Sequence, residues 1–366
     1  MIDKELKIPF YAKTTIILLG SLALTTVLYI AQGIIIPLVF ALLFAILLNP
    51  IVSFFVRLKI NRIVAIVFTM ILTILVVSGV VALMFSQANQ FSDSWPKLVD
   101  RFTAILNQSI TQSSGYFDIN PQNIHDWIAK SRNELINNGG AAIGQTLISV
   151  GNGIAILFLV PVYVFIILYY KTLLLEFIHR VFSTGNQNQV NQIVSQTKRL
   201  IQRYLVGLVI EAILVATLNS AALLLLGIQY AIILGIIGAL LNVIPYIGGI
   251  VGVALPMMVA LATKSTGWYA IYVMLAYYLI QLIDNNYFVP IIVASKVKIN
   301  ALFSIIAVFA GNALWGVSGM FLSIPLLAII KLICDNIDSL KPWGFLFGDT
   351  LPNTARLKLS LKNKSL

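Results

Sequence analysis

Apolar residues run through this chain in long stretches that polar residues interrupt only briefly. Residues 14–31, 34–56 and 63–85 form three successive runs. Gly33 and Pro37 predict a tight turn between the first two, and Arg57, Lys59 and Arg62 mark a short basic loop before the third. Residues 147–170 and 204–226 add a fourth and a fifth run, and 268–293 contains a further full crossing. Each is long enough to carry a helix through a hydrocarbon core of ~30 Å. The one extended polar region, 87–146, repeats apolar residues at helical spacing: Leu98, Phe102, Ile105 and Leu106, then Ile124, Trp127, Ile128 and Leu135. Residues 171–203 are polar and basic, with Val190, Ile193, Val194, Leu200 and Ile201 forming an amphipathic stripe. The predicted elements are helices, because a membrane barrel would show ~10-residue strands of alternating polarity instead.

Two further runs, 228–262 and 301–330, do not fit one crossing each. A continuous helix of thirty-odd residues would be about 50 Å long, well beyond the core thickness. Both are broken in the middle. The first holds Asn242-Val243-Ile244-Pro245-Tyr246-Ile247-Gly248-Gly249, the second Gly311-Asn312 and Gly316-Val317-Ser318-Gly319. Pro blocks a helix and Gly permits dihedrals that other residues avoid. Irregular backbone survives at membrane depth only under a cover of protein or around a water-filled cavity. Paired broken segments in two halves of a chain point to a transport site. Each run follows an apolar span that carries an acid, Glu211 in one case and Asp284 in the other.

Composition and charge narrow the class. The 366 residues are 59% hydrophobic and 10% charged, against about 25% charged in average soluble chains. The single Cys334 excludes a disulfide framework and a cysteine metal site. A net charge of +11 raises the question of nucleic acid. The cations flank the apolar runs, however, where they set topology, and no nucleic-acid partner is expected. Residues 57–62, 171–203 and the tail after 331 are rich in Lys and Arg. Region 87–146 instead sets Asp93, Asp100, Asp118, Asp126 and Glu134 against Lys97, Arg101, Lys130 and Arg132. The positive-inside rule therefore places both termini in the cytoplasm and region 87–146 outside. Simple crossings by the broken runs would put Lys296 and Lys298 outside. Re-entrant hairpins keep them inside, leave Lys264 exposed outside, and fit the rule better. Lys4, Lys7 and Lys13 before the first run imitate a signal peptide, but no small-x-small cleavage site stands out and a second span follows at once. The segment reads as a retained helix.

Ionisable residues within membrane spans are costly and are functional candidates by default. Glu211 lies eight residues after Arg203, about 12 Å into the core. Asp284 sits deep in its span beside Asn285 and Asn286, three residues after Gln281. Such a set suits a cation, a proton or a small hydrophilic solute; the alternative is helix packing with each acid satisfied by a neighbouring amide. The same two readings, solute contact or packing turn, apply to Asn242, Pro245, Tyr246 and Gly248, and to Gly311, Asn312, Gly316 and Gly319. The aromatic residues Tyr269, Tyr272, Tyr277, Tyr278 and Trp315 read as packing and interfacial anchors. Gly316-Val317-Ser318-Gly319 matches the Gly-x-Ser-Gly form of intramembrane serine proteases. That chemistry needs a base for the serine proton, and the two histidines, His125 and His179, lie in polar segments away from it. No His-Glu-x-x-His motif occurs either. An enzyme is not expected, nor a cofactor or metal.

Several of these residues fall into one pattern: Glu211 with Leu226-Gly227, then Ala239 through Gly248, then Gln281-Leu282-Ile283-Asp284-Asn285-Asn286-Tyr287-Phe288-Val289-Pro290, then Gly311, Gly316, Gly319 and Pro325. In these the chain resembles the AI-2E (autoinducer-2 exporter) family of bacterial transporters. The Pro-Tyr-Ile-Gly core is specific in this context, and the resemblance extends over the span plan and the polar region after the third helix. One departure is Asp284 where the pattern has Glu, which keeps the charge and shortens its reach by a methylene. The resemblance implies homo-oligomers, pentamers in particular, and an elevator-like movement of a re-entrant bundle. It also implies export of autoinducer-2 in some members and sodium or lithium/proton antiport in others.

The expectation is an all-α polytopic integral membrane protein of a bacterial cytoplasmic membrane. It has about six full spans, two re-entrant helical hairpins and a small extracytoplasmic helical domain. The expected divisions are spans at 1–86, the outer domain at 87–146, the fourth span with an amphipathic segment at 147–203, a transport core of two span-plus-hairpin units at 204–331, and a cytoplasmic tail at 332–366. The expected function is export of a small polar metabolite through a site between the hairpins, contributed by Glu211, Asn242, Pro245, Tyr246, Gly248, Gln281, Asp284, Asn285 and Asn312. Cation/proton antiport is the first alternative. A non-transporting membrane scaffold acting through the outer domain is the second. The topology is tested by single cysteines at 264 and 296 in a Cys334→Ser background. An impermeant maleimide applied to intact cells, or to spheroplasts, is expected to label 264 and spare 296; labelling of 296 from outside would mean simple crossings.

Overall fold

The computed structural model describes residues 9–113, 121–134, 154–181, 187–242, 248–293 and 299–349. In chain order the helices are α1 (Phe10–Ile30), α2 (Gln32–Arg57), α3 (Arg62–Ser113), α4 (Pro121–Glu134), α5 (Ile154–Tyr169), α6 (Lys171–Val181), α7 (Gln187–Leu225), α8 (Ala231–Asn242), α9 (Gly248–Thr263) and α10 (Trp268–Ile283). A π-helical segment, Asp284–Val293, continues α10; α11 (Ala301–Asn336), a short 3₁₀ turn and α12 (Lys341–Phe347) follow. Among the described residues there is no strand, only an isolated bridge between Ile299 and Gly348. Among the described residues, five helical stretches are long and apolar enough to cross a membrane by length and composition: α1, α2, Arg62–Met84 of α3, Gln189–Leu225 of α7, and α11 when it is counted through its kink at Trp315 and Gly316. The residues Leu159–Tyr169 and Lys171–Val181 make a sixth if they are one span bent by 67°.

At three places the helices do not follow the limits of the apolar runs. The third apolar span ends at Met84 as expected, but its helix does not: α3 continues unbroken to Ser113, through Pro96. Likewise α7 joins the amphipathic segment to the fifth span without a break at residue 203. No Gly or Pro stands at either junction. A helix satisfies its own backbone in lipid and in water alike, so a change of polarity alone gives it no reason to end. The expected turn at Gly33 and Pro37 is instead a single residue, Ala31, and Pro37 is accommodated inside α2.

The contacts group the chain into two units, one of residues 1–36, 179–201 and 296–366, the other of 37–178 and 202–295. The second unit holds two cores. In one, the stripe Ala41, Ala45, Leu48 and Val52 of α2 packs on Ala65 and Ile66 of α3 and on Val164 and Leu168 of α5. In the other, Phe91, Trp95, Leu98 and Val99 from the polar extension of α3 bury against Leu223, Ile228, Leu234, Val259 and Val273. Tyr230 fastens this second core. Its hydroxyl and that of Ser94 are 2.8 Å apart, and Phe91 meets its ring edge-on. Region 87–113 therefore packs on the open end of the first broken run. Helix α4 lies on the same extension, where Arg132 pairs with Asp100 at 2.8 Å.

The first broken run folds as two packed helices, α8 and α9, whose connection at 243–247 lies outside the described residues. Glycines set the spacing. A Cβ on Gly252 would sit 3.4 Å from the Gly238 Cα, and one on Gly235 would sit 2.2 Å from the Ser220 Oγ and 2.6 Å from the Ser220 nitrogen. Helix α8 thus touches both α9 and the backbone of α7. Small residues permit such contacts between membrane helices.

In the first unit, α11 doubles back on itself. Trp315 and Gly316 leave helical geometry, and Gly316 takes φ 60°, ψ −142°, a conformation open to glycine. Beyond that turn the backbones of Gly311 and Gly319 meet, with 1.9 Å between a Cβ placed on Gly319 and the Gly311 oxygen. A straight helix would hold two residues eight apart at about 12 Å. The second broken run therefore also reverses. The Trp315 Nε1 donates to the Leu28 oxygen of α1 at 3.0 Å. Asn300 caps the start of α11 through its contact with the Phe303 nitrogen, and its amide donates to the Leu346 and Gly348 oxygens, which docks α12.

The backbone contact at Gly235 leads to a stability test. Gly235→Ala is expected to lower the melting temperature of the purified protein, at a cost of about 1–3 kcal/mol for forcing α8 off α7. Gly33→Ala, with nothing within 4 Å of the added Cβ, is expected to leave stability unchanged or slightly higher. Equal melting of the two variants would remove the close contact from the fold.

Candidate functional site

Helices α7, α8 and α10 each bring one polar side chain to a common point. Glu211 on α7 is buried, 6% exposed, and Asp284 at the start of the π segment is 1% exposed. Asn242, the last residue of α8, stands between them. Its Nδ2 donates to the Asp284 Oδ2 at 2.8 Å and makes a long contact of 3.5 Å with the Glu211 Oε1. Gln281, one turn before Asp284, donates to the same Asp284 oxygen at 3.3 Å and to the Asn285 Oδ1 at 3.2 Å. One carboxylate oxygen thus takes two amide donors from two helices. Burial of two acids in apolar helices is costly, and shared donors offset part of that cost. The π-helical turn beginning at Asp284 widens the helix where the acid leaves it. Such turns are rare and recur at functional sites.

A cavity of about 250 Å³ adjoins this cluster, with Asn219, Gly238, Asn242, Gly249, Tyr277, Gln281 and Asp284 among its lining. Three of the lining residues each hold a fully buried polar atom without a hydrogen-bond partner: Asn219 Oδ1, the Tyr277 hydroxyl and Asp284 Oδ1. Buried polar groups are nearly always paired, so three such atoms on residues around one cavity are unusual. The cavity owes its room to glycine. A Cβ on Gly238 would come within 3.2 Å of the Asn219 amide and 3.4 Å of the Tyr277 ring.

The candidates from the sequence fall into three groups. Glu211, Asn242, Gln281, Asp284 and Asn285 stand together in the second unit. Gly248 opens α9, while Pro245 and Tyr246 lie outside the described residues, as do Lys296 and Lys298. Asn312 belongs to the first unit, exposed on α11. Two contributors were not picked out as polar groups of the site. Asn219, 3% exposed, lies eight residues after Glu211 on the same face of α7. Tyr277, classed above with the packing aromatics, precedes Gln281 by four residues and Asp284 by seven. Both carry a helical-spacing signal, since positions four and seven or eight apart share a face. Among the described residues no group of three or more His, Cys, Asp or Glu gathers that could hold a metal ion.

The family model described as "AI-2E family transporter" matches residues 18–339. The chain is 26% identical to YrrI of Bacillus subtilis (strain 168) over 130 residues, 36% of each chain. It is 28% identical to PerM of Escherichia coli (strain K12) over 248 residues, 67% of this chain and 66% of that protein. It is 24% identical to the AI-2 transport protein TqsA of the same strain over 306 residues, 82% of this chain and 86% of that one. The matched stretch thus spans about a third of the length of YrrI.

Two substitutions separate pairing from packing here. Tyr277→Phe removes an unpaired buried hydroxyl and is expected to leave the melting temperature equal or higher. Asn242→Ala takes the shared donor from both acids and is expected to cost about 1–3 kcal/mol. Thermal unfolding of the two purified variants checks the ordering; a larger loss for Tyr277→Phe would mean that the hydroxyl has a partner.

Proposed function

The chain belongs to the AI-2E family of transporters, and from that premise we propose that it exports a small polar solute of the autoinducer-2 kind through the cavity between α7, α8, α9 and α10. The observation that carries this reading is that three residues lining the cavity each hold a buried oxygen without a partner: Asn219 Oδ1, the Tyr277 hydroxyl and Asp284 Oδ1. Small side-chain rotations would offer these oxygens to a solute rich in hydroxyl donors. A volume near 250 Å³ lies below the usual 300–1,000 Å³ of ligand pockets and suits a compact molecule. Asp284 and Asn242 line the site, and Glu211 stands behind Asn242 without reaching the cavity. The pocket wall on α8 and α9 belongs to a helix pair held by glycine contacts, which can shift against its neighbours without large side chains interlocking.

A second reading, cation/proton antiport, rests on one feature: Glu211 and Asp284 share the Asn242 amide. Paired acids in a membrane suit ion and proton pathways. In everted membrane vesicles the two readings diverge. Export predicts uptake of labelled autoinducer-2; antiport predicts that sodium or lithium collapses an imposed proton gradient. Glu211→Gln and Asp284→Asn are each expected to cut the active process at least about tenfold, equivalent to ~1.4 kcal/mol, with unchanged expression. Wild-type rates in both variants would sink the assignment of this site.

A further inference from the structure

A second cavity, of about 390 Å³, lies where α2 ends, α3 begins and α5 breaks into α6. Asn49, Ser53 and Arg57 of α2 line it, with Arg62 of α3 and Lys171 and Thr172 of α6; Val52, Val56 and Leu168 complete its wall. Among its described lining residues are three cations, Arg57, Arg62 and Lys171, and no carboxylate.

The site is held in place rather than loosely assembled. The Arg62 guanidinium donates to the Leu168 oxygen at 2.7 Å and makes a longer contact of 3.4 Å with the Thr172 hydroxyl. Lys171 donates to the Asn49 Oδ1 at 3.0 Å. The 67° bend between α5 and α6 is what turns Lys171 and Thr172 over the end of α2. The Asn61 side chain caps α3 by accepting from the Ile63 nitrogen at 3.0 Å, which fixes Arg62 in the first turn. Leu168 itself belongs to the core of α2, α3 and α5.

We infer that this cavity binds the phosphate of an anionic phospholipid headgroup. Guanidinium groups match phosphate oxygens in a fork, and a lysine and a hydroxyl add point contacts. Basic pockets between membrane helices recognise such headgroups. The apolar surroundings favour lipid over a soluble phosphate: Phe54, Leu58, Tyr169 and Tyr170 are all exposed beside the cavity, and tyrosines gather at headgroup level. The lining also selects among lipids. It offers no carboxylate to a choline or ethanolamine ammonium, so phosphatidylglycerol or cardiolipin fits and a zwitterionic headgroup does not.

The simpler account makes these cations topology determinants only, and Lys59 separates the two. It belongs to the same basic loop but does not line the cavity. The full chain, purified in neutral detergent, is melted with added phosphatidylglycerol, phosphatidylcholine, phosphatidylethanolamine or inorganic phosphate. Phosphatidylglycerol is expected to raise the melting temperature of the unsubstituted protein while the other three do not. Arg57→Gln with Lys171→Gln is expected to weaken that effect about tenfold or more, at ~1 kcal/mol per cation near the headgroup. Lys59→Gln is expected to keep it. Equal protection by phosphatidylethanolamine, or by inorganic phosphate, overturns the inference on the unsubstituted protein alone. A lipid preference that survives in the double variant, or is lost equally in Lys59→Gln, overturns it as well.

Discussion

The approach of α8 to its neighbours is the constraint from which the candidate site follows. Gly235 meets the Ser220 backbone of α7, Gly238 meets Asn219 and Tyr277, and Gly252 of α9 meets Gly238. No side chain larger than hydrogen fits at the first of these points without moving a helix. Because α8 lies that close, its last residue, Asn242, reaches both Glu211 and Asp284. The same contacts keep large side chains out of the space beside Asn219, so a cavity remains there. Membrane helices gain little from burying apolar surface against each other, since lipid is apolar too. Close van der Waals packing and shared polar contacts take over that role.

The extension of α3 supports this arrangement from the polar side. Phe91, Trp95, Leu98 and Val99 enter the core that also contains Leu223, Ile228 and Leu234. The open end of the α8–α9 pair is thereby fixed against a long continuous helix. The other end, near Asn242, is held by hydrogen bonds to acids. One end rests on apolar burial and the other on a few polar contacts.

The two broken runs reach chain reversal by different means. In the second, Gly316 takes a positive φ and the Gly311 and Gly319 backbones meet within eight residues of chain. In the first, two separate helices pack through Gly238 and Gly252. The first presents acids beside the pair, contributed by α7 and the end of α10. The likeness of the two in sequence, an interrupted apolar run after an acid-bearing span, thus leads to two different ways of turning the chain.

Much of this protein was legible one residue at a time. Long apolar runs, the interruption of two of them, and the isolation of Glu211 and Asp284 within apolar spans depend on local composition, and membrane insertion penalises violations of that composition strongly. Helix ends were less legible. The junctions near residues 86 and 203 change polarity without a breaker, and α3 and α7 run straight through them. Asn219 and Tyr277 carried a spacing signal, but spacing only says which residues share a face of one helix. Which helix lies opposite that face is decided by tertiary contacts between glycines far apart in the chain. The pairing of Asn242 with both acids and the unpaired oxygens beside the cavity arise that way, while Arg57, Arg62 and Lys171 are brought together by the packing of α2, α3 and α5 through Ala41, Ala45, Leu48, Ala65, Val164 and Leu168. Their cost and their chemistry come from neighbours that sequence order does not specify.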